Sequence, residues 1–307
     1  MTLTELRYIV AVARERHFGR AAEACFVSQP TLSVAIKKLE DELDVKLFER
    51  GATEVSVTPL GEEIVRQAQS VIEQAQAIKE IAKRGKDPLS GPLRLGIIYT
   101  IGPYLLPDLV RQAIERVPQM PLMLQENFTA RLLDMLRTGE LDCAIMAEPF
   151  PDTGLAIAPL YDEPFMIALP AGHPLARRKS IPAEELKQET MLLLGTGHCF
   201  RDHVLEVCPE YARFSSNAEG IRKSFEGSSL ETIKHMVASG MGITVVPQLS
   251  VPAEPQPHVK YVPFAKPVPT RRVVLAWRRS FTRYEAIAAL RNAIYACPLK
   301  GVKRLTA

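Results

Sequence analysis

The N-terminus lacks the unbroken apolar run of a secretory signal: Leu3, Leu6, Ile9 and Val10 are interrupted by Thr4, Glu5, Arg7 and Tyr8. No stretch of about 18 apolar residues occurs anywhere, which removes the usual candidate for a membrane span. The chain has five cysteines, and an odd number argues against a framework of structural disulfides. These absences point to a cytoplasmic chain, where a disulfide is usually catalytic or sensory. Charge of one sign is scarce too. The net charge is +3, and within residues 1–60 eight Lys and Arg are matched by nine Asp and Glu. Nucleic-acid binding there must depend on where cations point, not on bulk charge. Internal repeats and low-complexity tracts are missing. What remains is 307 residues, 47% of them apolar, enough for two or three ordinary globular domains.

Thr2-Leu3-Thr4-Glu5 has the pattern of a capping box, and Leu6, Ile9, Val10 and Ala13 follow on one face of a helix expected over 2–15. A break at His17-Phe18-Gly19 leads into a short helix from Arg20 to Cys25, then a turn at Phe26-Val27-Ser28. Ser28 can cap the next helix, whose first turn tolerates Pro30. Leu32, Ile36, Leu39 and Leu43 bury one stripe of that helix. Its opposite face carries Gln29, Thr31, Ser33, Lys37 and Lys38. Two helices joined by a short turn, the second showing polar and basic groups near its N-terminus, make the pattern of a helix-turn-helix. Ala21 and Ala22 are small enough for the helices to approach closely. Residues 46–50 and 55–58 read as a hairpin around Gly51, a wing. An ordinary three-helix bundle with polar surfaces is the alternative these residues leave open.

Pro59 and Gly61 open a long helix ending near Gly85. Ile64, Ala68, Val71, Ala75, Ile78 and Ala82 form a heptad seam suited to pairing with a second helix. Lys83–Pro88 reads as a hinge. From Leu93 onward strands and helices alternate: strands at 93–98, 122–125 and 141–147, helices at 103–116 and 130–137. The pattern resumes with a strand at 191–194, a helix at 199–207, a helix from Ser228-Ser229 to Ser239, a strand at 242–246, a strand at 272–277 and a helix at 284–296. This is βαβ patterning and predicts a mostly parallel sheet.

Within that part lies Gly197-His198-Cys199-Phe200-Arg201-Asp202, with Cys208 after one short helix. Nine helical positions advance the chain about 13.5 Å and turn it about 900°, placing the two sulfurs on opposite faces. A disulfide needs the Cα atoms within about 7 Å. The two thiols can therefore join only if the segment unwinds. A metal reading is also available, since Cys199 and His203 lie at i and i+4 with His198 and Cys208 near. Structural zinc usually shows tighter pairs such as Cys-x2-Cys, so no metal or cofactor is expected. Cys25, Cys143 and Cys297 read as small buried hydrophobes.

Phe18-Gly19-Arg20-Ala21-Ala22 and Val27-Ser28-Gln29-Pro30-Thr31-Leu32-Ser33 resemble the winged helix-turn-helix of LysR-type transcriptional regulators, and the resemblance extends over essentially the whole chain. The cysteine segment resembles that of the family's peroxide-sensing members. The implied fold is α/β with an all-α N-terminal winged helix-turn-helix and two regulatory α/β lobes of periplasmic-binding-protein type. The implied boundaries are a DNA-binding domain at 1–59, a linker helix and hinge at 60–87, and a regulatory domain at 88–307. Lobe I spans 88–162 and 268–307, lobe II 163–267, with crossings near Asp162 and Pro267. A tetramer is implied, a dimer of dimers on promoter DNA, with RNA polymerase a further partner and a cellular thiol reductant resetting the switch.

The resemblance implies a site as well. Cys199 is the peroxidatic thiol and Cys208 the resolving one. A thiolate attacks hydrogen peroxide, giving a sulfenic acid that condenses with a second thiol. Gly197 and His198 lead into a helix N-terminus, which favours an anion, and His198, Arg201, Asp202, Thr100, Thr129 and Arg271 are the candidates around the peroxide. On the DNA side, Gln29, Pro30, Thr31 and Ser33 face the major groove, with Ser28 in the same DNA-binding set, and Arg20, Lys37, Lys38 and Arg50 face phosphate. The rival readings are a regulator governed by a metabolite in the cleft between lobes and, from another class, a thiol peroxidase. A solute-binding protein is excluded by the helix-turn-helix and the missing export signal.

Overall fold

The computed structural model describes residues 1–50, 55–84, 89–151, 154–213, 224–227 and 229–305; positions 50, 77, 79–84, 212–213 and 224–227 are described by backbone alone. The wing tip at Gly51, the hinge at 85–88 and Ser228 fall outside the described residues, as does the side chain of Ala82 in the expected seam.

Helix α1 (Leu3–Glu15) starts at a capping box in which Thr2 Oγ accepts the Glu5 N–H at 3.2 Å and the Glu5 carboxylate accepts the Thr2 N–H at 2.7 Å. Helix α2 (Phe18–Ala24) begins earlier than expected. His17 caps it, its Nδ1 accepting from Gly19 and Arg20 at 3.1 and 3.2 Å, a role the sequence reading gave to a chain break. Ser28 caps α3 (Gln29–Leu43), where Leu32, Ile36 and Leu39 are buried against α1 and α2. Strands β1 (Phe48–Arg50) and β2 (Val55–Val57) pair as the antiparallel wing.

Helix α4 (Pro59–Arg84) serves two masters along its length. Ala68, Ile64, Val65 and Ile72 join the N-terminal core. Val71, beside them, and Ile78, two turns further on, lie exposed, an uncovered stripe on this single chain. One residue past Ile72, Glu73 reaches the regulatory part of the chain, as described below.

The regulatory part comprises β3 (Leu93–Ile98), α5 (Gly102–Arg116), β4 (Leu122–Asn127), α6 (Thr129–Arg137), β5 (Cys143–Glu148), β6 (Leu155–Pro170), β7 (Met191–Leu194), α7 (Cys199–Val207), β8 (Ser224–Gly227), α8 (Leu230–Ala238), β9 (Thr244–Pro247), β10 (Val259–Pro263), β11 (Thr270–Arg278), α9 (Tyr284–Ala296) and β12 (Lys303–Arg304). Strand order is β10-β6-β11-β5-β3-β4, with β9 and β12 also on β6 and a separate β7-β8 pair. Among the described strand pairs, β3-β4, β3-β5 and β7-β8 run parallel and the others antiparallel. The expectation of a mostly parallel sheet is thus corrected. The cause is the pair of crossing strands: β6 and β11 run in opposite senses between the two lobes, so each makes antiparallel contacts wherever it goes. Strand β6 pairs with β11 up to Pro164 and with β9 and β10 from Phe165. One apolar core lies under β3, β5, α5, α6 and α9, a second under β7, α7, α8 and β9. Glu73 of α4 is ion-paired with Arg278 of β11 at 2.5 Å and accepts from Ser280 Oγ at 2.6 Å, tying the linker helix to the first of these lobes.

Candidate functional site

Cys199 opens α7, after a bend in which Gly197 takes φ +99, a left-handed conformation that side chains rarely adopt. The bend delivers the thiol to the seam between lobes. Cys199 packs against the core of the first lobe, whereas Phe200 and Val204, further along the same helix, pack into the core of the second. In front of the thiol is a cavity of about 10 Å³ lined by Ile98, Tyr99, Thr100, Asn127, Phe128, Thr129, Gly197, His198 and Cys199. That is close to the room one water requires, about 10–15 Å³, and far below a metabolite. It sits beyond the carboxyl ends of the parallel strands β3 and β4, where α/β sheets generally bind ligands. The Thr129 hydroxyl is buried there without a hydrogen-bond partner. Tyr99, Phe128 and His198 stack edge to face over it, with ring centroids 4.8–5.8 Å apart.

Behind the cavity stands a buried ion pair. Arg271 donates from Nη1 to Thr100 Oγ at 2.8 Å and from Nη2 to the Thr100 carbonyl at 2.9 Å. Its Nε donates to Glu163 at 2.9 Å, and its guanidinium lies 5.1 Å from the centre of the Phe200 ring. The structure therefore brings Thr100, Thr129, His198 and Cys199 together, with Arg271 one bond behind. Arg201 is buried on another side of α7, donating to the Leu194 carbonyl at 2.9 Å. Asp202 is exposed. Neither lines the cavity. Tyr99, Asn127 and Phe128 do, and the sequence reading passed over them; their place at the ends of two parallel strands was the available signal.

Cys208 ends α7 and is fully buried in the second lobe's core. Burial, followed by the nearby Glu210 and Glu184 carboxylates, pushes its thiol up to about 12, so at neutral pH it is protonated and a poor nucleophile. All five cysteines are free. Burial raises Cys143 well beyond the ordinary range, Cys297 to about 11, and Cys25 as well. His203 does not turn toward Cys199. Its Nε2 lies 2.9 Å from the Glu148 carbonyl and its Nδ1 has no partner; burial, then the Arg271 charge, holds its pKa below the usual value. Among the described residues no three His, Cys, Asp or Glu side chains are grouped to hold a metal ion.

At the other end of the molecule, Ser28, Gln29, Pro30, Thr31, Lys37 and Lys38 are exposed on α3 and Ser33 is half-buried. Ser28 Oγ caps the helix and also lies 2.8 Å from Thr31 Oγ. Arg20 is exposed and donates to the Glu15 carbonyl. The Arg50 side chain is outside the described set. Two apolar residues that the sequence reading left out stand on the same surface. Val34 is 68% exposed on α3, and Phe26 is 95% exposed in the turn before it, at φ +57.

A three-helix reading head with a wing, a long linker helix, and two α/β lobes joined by crossing strands define a bacterial transcription regulator. The sequence agrees. Residues 3–62 match the bacterial regulatory helix-turn-helix protein, lysR family, and residues 86–296 match the LysR substrate binding domain. The chain belongs to the LysR family. Within it, the chain is 41% identical to the DNA-binding transcriptional dual regulator OxyR of Escherichia coli (strain K12) over 94% of each chain. It is 39% identical to a hydrogen peroxide-inducible genes activator of Haemophilus influenzae, over 99% of this chain and all of that one. Among solved structures it resembles full-length OxyR C199D from Pseudomonas aeruginosa, with 54% identity, coverage of 97% and 98%, and a TM-score of 0.77. A cysteine variant of Corynebacterium glutamicum OxyR with hydrogen peroxide bound gives 35% identity, coverage of 95% and 91%, and a TM-score of 0.63.

Proposed function

We propose that this protein is a DNA-binding transcriptional regulator that senses hydrogen peroxide at Cys199; relatives it resembles are named hydrogen peroxide-inducible genes activators. The observation that carries the reading is the cavity itself: a space about the size of one water molecule, far too small for a metabolite, walled by a thiol, two threonine hydroxyls and a histidine. Peroxide oxidises the Cys199 thiolate to a sulfenic acid. The partner thiol is Cys208, buried at the far end of α7 and about 13.5 Å along an intact helix. Condensation of the two, with loss of water, requires α7 to unwind and Cys208 to leave the core. That remodelling moves the surfaces through which subunits meet, and so the spacing of reading heads on DNA. The exposed stripe of Val71 and Ile78 on α4 supports pairing of linker helices, and a dimer of dimers acting with RNA polymerase is the assembly we assign.

A regulator of this kind works in the cytoplasm, is reset by a thiol reductant and needs no turnover chemistry of its own. No described helix is long and apolar enough to cross a membrane. The test is Cys199→Ser in the full-length chain. It should retain operator binding and lose every change in footprint on peroxide addition; a variant that still responds to peroxide would show that the sensor lies elsewhere.

A further inference from the structure

Glu163 and Arg271 face each other where the crossing strands β6 and β11 meet, and both are essentially removed from solvent. Both Glu163 oxygens are engaged. Oε1 accepts the Leu249 N–H at 2.8 Å and Oε2 accepts Arg271 Nε–H at 2.9 Å. A buried pair is weak evidence for stability, because desolvation offsets most of the attraction. Its consequence here is directional. Arginine only donates, so Thr100 Oγ must be the acceptor in its 2.8 Å bond to Arg271, and the hydroxyl hydrogen has to point elsewhere. Thr100 lines the cavity that holds the Cys199 thiol.

We propose that Glu163 is a positioning residue for oxidation of Cys199: it fixes the Arg271 guanidinium, which in turn holds the Thr100 hydroxyl as a hydrogen-bond donor into the cavity. The inference rests on the reading that hydrogen peroxide reacts there. In that step the thiolate sulfur attacks one peroxide oxygen. The S–O bond forms and the O–O bond breaks. The distal oxygen leaves with the electron pair as hydroxide and takes a proton from solvent to become water; sulfur is oxidised to the sulfenic acid and peroxide is reduced. Negative charge grows on the distal oxygen, and a donor already aimed at it lowers the barrier without reorganisation. Released from the carboxylate, the guanidinium can swing off Thr100, and the hydroxyl loses its imposed direction.

The experiment compares full-length wild type, Glu163→Gln, Thr100→Val and the double variant. The second-order rate of Cys199 oxidation by hydrogen peroxide is read by quenching and mass spectrometry of the Cys199 peptide. The rate of iodoacetamide alkylation of the same thiol is read at the same pH. Alkylation expels iodide and has no distal oxygen to stabilise. Glu163→Gln should slow peroxide about tenfold, below the 10²–10³ of a direct donor, and leave alkylation unchanged. In the Thr100→Val background the same change should have little further effect, since the route runs through that hydroxyl. If Glu163→Gln does not fold, Glu163→Asp takes its place in the cycle, with the carboxylate drawn back by one methylene and a smaller loss. Equal peroxide rates in variant and wild type, equal slowing of both reactions, or full slowing in the Thr100→Val background overturns the inference alone. A wild-type Cys199 that does not react with peroxide overturns the site reading and the inference together.

Discussion

Replacing Val204 by alanine tests how firmly α7 is held in its resting shape. Val204 lies mid-helix, buried in the core of the second lobe and away from the thiol cavity. Val204→Ala removes two buried methyl groups, about 0.8 kcal/mol each in transfer terms, with a further contribution of on the order of 1 kcal/mol for the space left behind. Alanine is the better helix former by about 0.5 kcal/mol, which offsets part of the loss. The net destabilisation of packed α7 is about 2 kcal/mol, or roughly thirtyfold in an opening equilibrium. Peroxide attack occurs in the closed state and should not change. Disulfide closure must wait for opening and should accelerate roughly thirtyfold. Rapid mixing with peroxide, followed by timed alkylation and mass spectrometry, separates the two steps by following the Cys199 sulfenic acid and then the linked peptide. An unchanged closure rate would refute the reasoning, because it would mean that bridging does not draw on the packing of this helix.

Two further outcomes follow from the same geometry. His203 is neutral and buried, its folded pKa held below the usual 6.5 by burial and then by Arg271, with Glu206 and Asp202 acting weakly in the other direction. A depressed histidine stabilises the fold at pH above the unfolded value and loses that contribution as pH falls below it. Denaturant midpoints of the thiol-reduced protein should therefore fall as pH drops from neutral through and below that value, and His203→Gln should flatten the fall. On the DNA side, Gln29→Ala should cost about 1–3 kcal/mol on the preferred operator and relax preference at one base position, whereas Lys37→Ala should weaken binding to all sequences alike and lower the salt slope by about 1. Affinities measured across salt and across operator variants distinguish the two.

The reading head was legible because its residues report locally. The Leu32, Ile36, Leu39 stripe, the Thr2 and Ser28 caps and the exposed polar face of α3 are all set by spacing within one helix. Helices α7 and α9 were legible for the same reason. Strand β6 was not. It changes sheets midway and contains Pro159 and Pro164, so no single alternation runs its length. Among the described strands β10 pairs with the second half of β6, and it carries Pro263 at its end. The site was half legible. Glycine, histidine and charge around Cys199 marked the thiol, yet the Arg271–Thr100 bond joins residues 171 apart in sequence, a closeness that no local pattern encodes. Tyr99 and Phe128 look like ordinary strand-end aromatics until two strands place them side by side.

Amide hydrogen exchange across α7 tests the central claim most directly. Residues 200–208 should be protected in the thiol form and lose that protection once mass spectrometry shows Cys199 bonded to Cys208, while α9 stays protected. A linked pair with α7 still protected would contradict the account, because the switch would then have closed without remodelling the helix.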